Sequence, residues 1–190
     1  MKAIRIAATG SYLPEKVLSN FDLEQMVDTS DEWIRKRTGI SERRLARADQ
    51  AASDLGQRAA LQALAQAEME PDELDLLIMA TITPDTCCPS GANWLEKKIG
   101  ATDAVSFDVT AACCGFLFGL SVAEQYLKVG TYENAMVVAA EVMSRTVNWQ
   151  DRSSSILWGD GAGAVILATR SSNGAEIIST ILHTDGSKGE

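Results

Sequence analysis

The chain has 190 residues, of which 46% are hydrophobic and 23% charged, and its formal net charge at pH 7 is −9. This length and composition are typical of one globular domain with a substantial core. The acidic charge makes nucleic acid and anionic membranes poor partners, because both attract positively charged surfaces. No apolar run reaches the length of a membrane span and the N-terminus lacks a signal-peptide layout, so we expect a cytoplasmic protein.

The first hundred residues predict an alternation of strands and helices. The alternating run "AIRIAATG" predicts a strand that leads into a loop. Capping residues and helical spacing then predict helices that begin near Asn20, Ser30 and Ser53. The continuous apolar run "LDLLIMATIT" is typical of a strand buried on both faces, and a further helix follows it.

The second half of the chain predicts four more strands and one strongly apolar helix. The strands are "AVSFDVT", "NAMVVAAEVM", "AGAVILAT" and "AEIISTILHT". We expect the last two to form an antiparallel pair that turns near Asn173–Gly174. The helix that begins at Gly115 has almost no polar face, which predicts burial at the centre of the domain, and Gly119 would let another backbone approach it. Strands alternating with helices indicate an α/β fold with a mixed, mostly buried sheet.

The vicinal cysteines Cys113 and Cys114 are the best candidates for chemistry, because they lie where a predicted strand meets a predicted helix. The N-terminus of a helix favours a thiolate, and its free N–H groups can stabilise an oxyanion beside the sulfur. Adjacent helical residues point about 100° apart, so only one sulfur can face a narrow pocket. The alternative is that both are small core residues. The cysteines lack the spacing of a zinc site, and we expect no metal.

Two other patterns have a catalytic and a structural interpretation. His183, the one histidine, could pair with Cys113 as in a thiol hydrolase, with Asp185 orienting the ring. The simpler interpretation is that His183 only ends a strand. "LWGDGAGAV" lacks the G-x-G-x-x-G spacing of a dinucleotide loop and precedes a strand, which favours a tight turn.

Tryptophan and arginine occur together at two places. Trp33 is close to Arg37, and Trp149 is close to Arg152. An indole and a guanidinium can sandwich a purine ring while basic groups bind phosphates, although such tryptophans also serve as packing residues. We expect most of the arginines and lysines between Trp33 and Arg47 to be solvated.

Four segments, in this order and spacing, resemble the β-ketoacyl-acyl-carrier-protein synthase III family of the thiolase-like superfamily. They are "DTSDEWIRKRTGI", "FDVTAACCGF", "GDGAGAVIL" and "LHTDGSKGE". The resemblance implies a thiolase-like fold, of which residues 1–190 would be the N-terminal half-domain. That half would be an α-β-α layered unit with a mixed five-stranded sheet and a buried central helix, and the C-terminal half would be absent.

The resemblance also implies roles for individual residues. Cys113 would be the acylated nucleophile, whereas Cys114 occupies a position that commonly holds a small residue. Cys88 and Met143 would line the acyl pocket, Cys88 by reaching across to a partner subunit. A bulky aromatic is often found at the position of Cys88, so the acyl preference stays open. The residues implied to hold coenzyme A are Thr29, Trp33, Arg37 and Arg152.

The activity that the resemblance implies is acyl transfer followed by condensation. An acyl group from acyl-CoA would pass to Cys113 and then condense with malonyl-acyl-carrier protein, which loses carbon dioxide, to initiate type II fatty acid synthesis. Coenzyme A thioester would be a substrate, with no cofactor, and the enzyme would be a homodimer. The catalytic histidine and asparagine would belong to the absent half. The alternatives are a non-catalytic dimerising fragment and a related acyltransferase that forms ester, amide or polyketide products.

Overall fold

In the computed structural model, which describes residues 2–169 and 174–187, helices lie on both faces of one mixed sheet. The strands are β1 (Arg5–Tyr12), β2 (Lys16–Ser19), β3 (Glu42–Leu45), β4 (Leu76–Ala80), β5 (Val105–Val109), β6 (Asn134–Val142), β7 (Asp160–Ala168) and β8 (Ala175–Glu176). The helices are α1 (Asn20–Glu24), α2 (Asp31–Thr38), α3 (Ala52–Ala67), α4 (Gly91–Ile99), α5 (Gly115–Lys128) and α6 (Arg152–Ser155). Three short 3₁₀ turns lie at Pro71–Glu73, Ala112–Cys114 and Met143–Arg145.

The main sheet has the strand order β5-β4-β6-β7-β1-β8. β4 pairs in parallel with β5 and β6, whereas the pairs β6–β7, β7–β1 and β1–β8 are antiparallel. The α/β class and the mixed sheet are therefore confirmed. The sheet has five strands of at least five residues, as expected, and a sixth strand, β8, of only two residues.

The predicted hairpin between the last two strands is wrong, because β1 lies between β7 and β8. Ile6 of β1 pairs with Leu167 on one side and with Ala175 on the other. This long-range pairing replaces the local one, and the chain leaves the sheet after Glu176 instead of continuing as a strand. Residue 173 of the expected turn lies outside the described residues.

One face of the sheet is covered by α3 and α4. The residues of α3 that face the sheet are fully buried, among them Leu55, Ala59 and Ala63. The backbones of α3 and β1 touch at Gly10, where a Cβ atom would come within 2.1 Å of the carbonyl oxygen of Ala59. Small residues at this crossing therefore set how closely the helix and the sheet pack.

The opposite face is covered by α5. Gly119 lies so close to the sheet that a Cβ atom there would be 3.1 Å from Val137 Cγ1. Ala123 and Leu127 on the same side are fully buried. On the outer side, however, Leu117 is 53% exposed. The prediction of a buried helix therefore holds for one side of α5 and not for the other.

A separate two-stranded arm formed by β2 and β3 carries α1 and α2, and sequence analysis does not predict this arm. Its small core contains Leu23, Ile34 and Ile156. Two residues of the arm differ from expectation, because Asn20 does not cap α1 and Arg43 is not solvated.

The cap of α1 is Ser19, whereas Asn20 and Arg43 are both buried. The Arg43 guanidinium donates to the Asn20 side-chain oxygen and to the carbonyl oxygen of Ile156. Burial lowers the pKa of Arg43. The arm is thus bonded to Ile156, in the segment that precedes β7, through a buried arginine. Composition alone would place this arginine at the surface.

Candidate functional site

Cys113 lies in the 3₁₀ turn that joins β5 to α5. Ala112 has a φ of 46°, in the left-handed region that few residues other than glycine adopt. The Cys114 N–H closes the turn by donating to the Ala111 carbonyl oxygen. The turn leaves both Cys113 and Cys114 exposed directly before the first residue of α5.

Cys113 borders a cavity of about 320 Å³ at the ends of the central strands. Its other lining residues are Ala80, Ile82, Ala112, Phe116, Ala139, Glu141, Met143 and Trp158. Met143 and Cys113 therefore line the same cavity, whereas Cys114 is not part of the lining. Sequence analysis does not single out Phe116 or Trp158.

The charged residue of this cavity, Glu141, is bonded to the segment that follows β4. Its carboxylate accepts from the Thr83 hydroxyl at 2.6 Å, the Thr81 hydroxyl at 3.2 Å and the Ile82 N–H at 3.0 Å. The Thr83 hydroxyl in turn accepts from the Val142 N–H at 2.9 Å. Sequence analysis misses Glu141, although an acid near the end of an apolar strand is a usable signal.

A second carboxylate fixes the turn that carries Met143. Asp160, at the start of β7, is 4% exposed and accepts from the N–H and the hydroxyl of Ser144 at 2.8 and 2.6 Å. It also accepts from the Ala46 N–H at 2.7 Å. Gly161 and Gly163, for which the sequence predicts a tight turn, lie inside β7, and the buried carboxylate of Asp160 beside them joins three segments.

Trp33, Arg37 and Arg152 form a second cluster, on α2 and α6. The guanidinium carbons of Arg37 and Arg152 lie 4.5 and 4.8 Å from the centroid of the Trp33 ring. Arg152 also donates to the Asp28 carbonyl oxygen at 2.9 Å. The adjacent Thr29 hydroxyl is buried and has no hydrogen-bond partner among the described residues. This cluster offers an aromatic face, two cations and a free hydroxyl.

The two clusters are adjacent in sequence through α6. Asp151 caps α6, and the hydroxyls of Ser153 and Ser154 hold the pKa of its carboxyl below the ordinary value. Arg152 belongs to the indole cluster and Trp158 to the Cys113 cavity. Six residues span at most about 22 Å, which is the upper limit for the separation of the Arg152 and Trp158 Cα atoms.

Three further residues that the sequence singles out lie outside both clusters. Trp149 does not pair with Arg152, because it packs in the core of the arm and its indole N–H donates to the Ser144 carbonyl oxygen at 3.2 Å. Cys88 is exposed and lies outside the lining of the Cys113 cavity. His183 is exposed in a segment without strand structure, also outside that lining, which leaves the thiol-hydrolase pair without support.

Within residues 2–169 and 174–187, no three histidine, cysteine, aspartate or glutamate side chains are grouped so that they could hold a metal ion. The helices in this part of the chain are also too short or too polar to cross a membrane.

The mixed sheet, with a cysteine-bearing turn before the helix on one face, defines the class as thiolase-like. Solved structures share it. The 3-oxoacyl-[acyl-carrier-protein] synthase III of Aquifex aeolicus VF5 superposes with a TM-score of 0.86 at 46% identity, over 90% of this chain and 55% of that chain. The priming β-ketosynthase of the R1128 polyketide pathway superposes with a TM-score of 0.85 at 36% identity, over 88% of this chain and 50% of that one.

Sequence comparison identifies the family. The family described as 3-oxoacyl-[acyl-carrier-protein (ACP)] synthase III matches residues 107–186. The β-ketoacyl-[acyl-carrier-protein] synthase III of Caldanaerobacter subterraneus subsp. tengcongensis is 48% identical over 99% of this chain and 56% of that protein. The synthase of Xanthomonas campestris pv. campestris is 50% identical over 98% and 57%. The chain therefore belongs to the β-ketoacyl-acyl-carrier-protein synthase III family and spans about half the length of these relatives.

Proposed function

We propose that the protein containing this chain transfers an acyl group from acyl-CoA to Cys113 and condenses it with malonyl-acyl-carrier protein. The observation that carries the proposal is an exposed cysteine at a mostly apolar cavity, before a helix that the family shares. Identities of 46 to 50% over at least 90% of this chain to synthases named for acyl-carrier protein support condensation on a carrier protein.

In the first step, the Cys113 sulfur attacks the carbonyl carbon of the thioester. A carbon–sulfur bond forms to Cys113, the bond to the coenzyme A sulfur breaks, and coenzyme A leaves as its thiol. The backbone N–H of Cys113 would help to stabilise the intermediate oxyanion, since those of Cys114 and Gly115 donate to Ala111 and Ala112. The product is an acyl-cysteine whose aliphatic chain enters the cavity beside Met143.

In the second step, the malonyl group loses carbon dioxide and its α-carbon attacks the acyl-cysteine. A carbon–carbon bond forms, the Cys113 sulfur leaves, and the product is a 3-ketoacyl-carrier protein. We propose that the histidine and asparagine for this step lie outside residues 1–190, which form one half-domain. The length of the relatives supports this division.

We propose that coenzyme A binds at the Trp33 cluster. Its adenine would stack on the indole, with Arg37 and Arg152 as the cations that contact its phosphates or its ring. Thr29 supports the assignment, because a buried hydroxyl without a partner gains most from a polar ligand. A thioester bound here would have to span the distance from Arg152 to Trp158 to reach the Cys113 cavity.

The proposal includes a homodimer and a cytoplasmic location. β5 is an edge strand of the sheet, and Val105 at its start is 49% exposed, so a second copy can pair there. Cys88, which lies outside the Cys113 cavity of its own chain, would then contribute to the acyl pocket of the partner subunit.

Mass spectrometry of the intact chain after incubation with acetyl-CoA tests the acyl transfer. We expect an acetyl adduct on the wild-type chain, none on Cys113→Ser, and an adduct on the matched control Cys114→Ala. An adduct that persists in Cys113→Ser would contradict the assignment of the nucleophile. If the wild-type chain forms no adduct, a non-catalytic fragment is favoured instead. With malonyl-acyl-carrier protein added, we expect no ketoacyl product from this chain alone.

A further inference from the structure

A second cavity lies next to the one beside Cys113. It has a volume of about 380 Å³, and its lining includes Pro84, Cys87 and Val142. Ile82 belongs to the lining of both cavities. Thr83, the next residue in the chain, lines the second cavity. Glu141, which accepts a hydrogen bond from the Ile82 N–H, lines the first. The side chain of Ile82 therefore forms the wall between the two spaces.

The position of this wall is fixed by hydrogen bonds from both sides. Glu141 accepts from the Ile82 N–H at 3.0 Å and from the Thr83 hydroxyl at 2.6 Å. Thr83 accepts from the Val142 N–H, and its own N–H donates to the Thr81 hydroxyl at 3.1 Å. Each threonine hydroxyl thus donates to the carboxylate and accepts a backbone N–H. Such a closed network holds a backbone segment more firmly than isolated bonds do.

Both oxygens of the Glu141 carboxylate accept hydrogen bonds from this segment. Three donors contact its two oxygens, all from Thr81, Ile82 and Thr83. The remaining lining of the Cys113 cavity is mainly aliphatic or aromatic, with Ala80, Phe116 and Met143 among its members. The space beside the sulfur therefore suits an uncharged aliphatic chain, and Ile82 is the side chain such a chain meets before the second cavity.

We propose that Ile82 limits the length of the aliphatic chain that fits beside Cys113, and that Glu141 and Thr83 are the positioning residues that hold it. The second cavity is then an extension that opens when this wall is shortened or released. The biological meaning of this limit, a preference among acyl chains, rests on the proposed function, whereas the wall itself does not.

Alkylation of Cys113 with N-methyl-, N-butyl- and N-octylmaleimide tests the wall without requiring acyl transfer. The sulfur adds across the maleimide double bond, and a proton from water completes the adjacent carbon, so no leaving group is involved. All variants are made in the Cys114→Ala background, so that peptide mass spectrometry on the 190-residue chain gives the rate at Cys113 separately from Cys87 and Cys88. The measured quantity is the octyl-to-methyl rate ratio.

We expect Ile82→Ala to raise this ratio at least about fourfold, which corresponds to burial of one more methylene group. Leu61→Ala is the matched control, because Leu61 is 42% exposed against 45% for Ile82 and lies outside both linings. The control should keep the wild-type ratio. A ratio in Ile82→Ala that equals the one in Leu61→Ala would overturn the proposal.

A second pair of variants tests the positioning residues. Thr83→Val removes the hydroxyl at nearly constant volume and should raise the ratio, whereas Thr83→Ser keeps the hydroxyl and should restore the wild-type value. Equal ratios in the two variants would remove Thr83 from the proposal. If the ratios shift as expected but acetyl-CoA leaves no adduct on Cys113, the wall stands and the proposed acyl transfer fails.

Discussion

The two faces of the sheet are covered in different ways. On the first face, α3 and α4 bury Leu55 and Leu95 completely, and their helix–sheet contacts reach backbone against backbone at Gly10. On the second face, α5 buries Leu127 but leaves Leu117 53% exposed. In sequence, α5 on the second face is more hydrophobic than α3 or α4 on the first, yet it is less buried.

The geometry of the sheet explains this difference. Six strands about 4.8 Å apart extend over roughly 24 Å, whereas one helix covers only about 10 Å. Two helices therefore cover the first face, whereas α5 is the one helix that the structure describes on the second, where Ile78 and Val137 of the central strands are still fully buried. The first face is complete within this chain, while the outer side of α5 has apolar residues that the described contacts do not use.

The largest difference in stability between the two faces is expected when a glycine on each face is replaced by alanine. Gly10→Ala should lower the free energy of unfolding by about 4 kcal/mol or more, because its Cβ would meet backbone atoms of α3 that cannot move independently. Gly119→Ala should cost less than about 2 kcal/mol, since its neighbours are side-chain methyl groups and alanine favours the helix. Urea unfolding followed by circular dichroism measures both. Equal losses would contradict the difference in packing.

Replacing one leucine on each face by alanine should give a somewhat smaller difference in the free energy of unfolding. Leu55→Ala is expected to cost about 3 kcal/mol, because it opens a cavity in a closed core. Leu117→Ala, the same substitution at a half-exposed site on α5, should cost less than about 1 kcal/mol. The same urea titration serves for both. A loss at Leu117 close to that at Leu55 would show that the outer side of α5 is covered in solution.

Charged pairs provide the next comparison. On the second face Glu124 is fully buried, with an oxygen 2.6 Å from Lys128 Nζ and another that accepts from the Thr180 hydroxyl at 2.8 Å. On the first face Asp54 pairs with Lys98, and both are about a quarter to a third exposed. Glu124→Gln should cost about 2 kcal/mol and Asp54→Asn less than about 1 kcal/mol.

Unfolding of these two variants at low and high salt provides the control, because salt screens the more exposed pair more strongly. The Asp54–Lys98 contribution should shrink at 1 M salt, and the Glu124 contribution should change little. Equal salt dependence would mean that Glu124 is not shielded from solvent by the segment that contains Thr180.

The parts of the fold that sequence predicts best are those with local signals. Ser30 and Gly39 cap α2 as expected, and the run that contains Leu76 is buried on both sides of the sheet. The parts it misses depend on long-range contacts. β8 pairs with β1 rather than with its neighbour β7, and Arg43 is buried because Asn20 and a distant carbonyl receive its hydrogen bonds.

The candidate site divides in the same way. The position of Cys113 at a strand–helix junction follows from the hydrophobic pattern, and the limit of one sulfur per pocket follows from helical geometry. The wall residues Ile82 and Glu141 do not, because their proximity depends on parallel pairing of β4 with β6. Sequence indicates which residue types can react, whereas sheet order decides which side chains surround them.

The smallest expected effect is a change in the dependence of stability on acidic pH. It arises in the arm, outside both faces of the sheet. The Asn20 side-chain amide and the Arg35 guanidinium donate to the Asp31 carboxylate at 2.8 and 2.7 Å, and these contacts hold the pKa of the Asp31 carboxyl below its ordinary value. The stabilisation is therefore complete above the ordinary pKa of about 4 and is lost as pH falls through the lower folded-state value.

Asp31→Asn should make the urea midpoint depend less on pH between about 5 and 2, the interval in which an aspartate with a lowered pKa titrates. Glu32→Gln, an adjacent acid on the same helix, is the control and should keep the wild-type pH dependence. Leu55→Ala and Leu117→Ala should keep it as well, since neither residue contacts the arm.

If the Asp31→Asn variant keeps the pH dependence of the wild type, the contacts of Asp31 with Asn20 and Arg35 are too exposed to affect folding. If the two leucine variants change the pH dependence, the arm and the sheet do not unfold as independently as their separate cores imply.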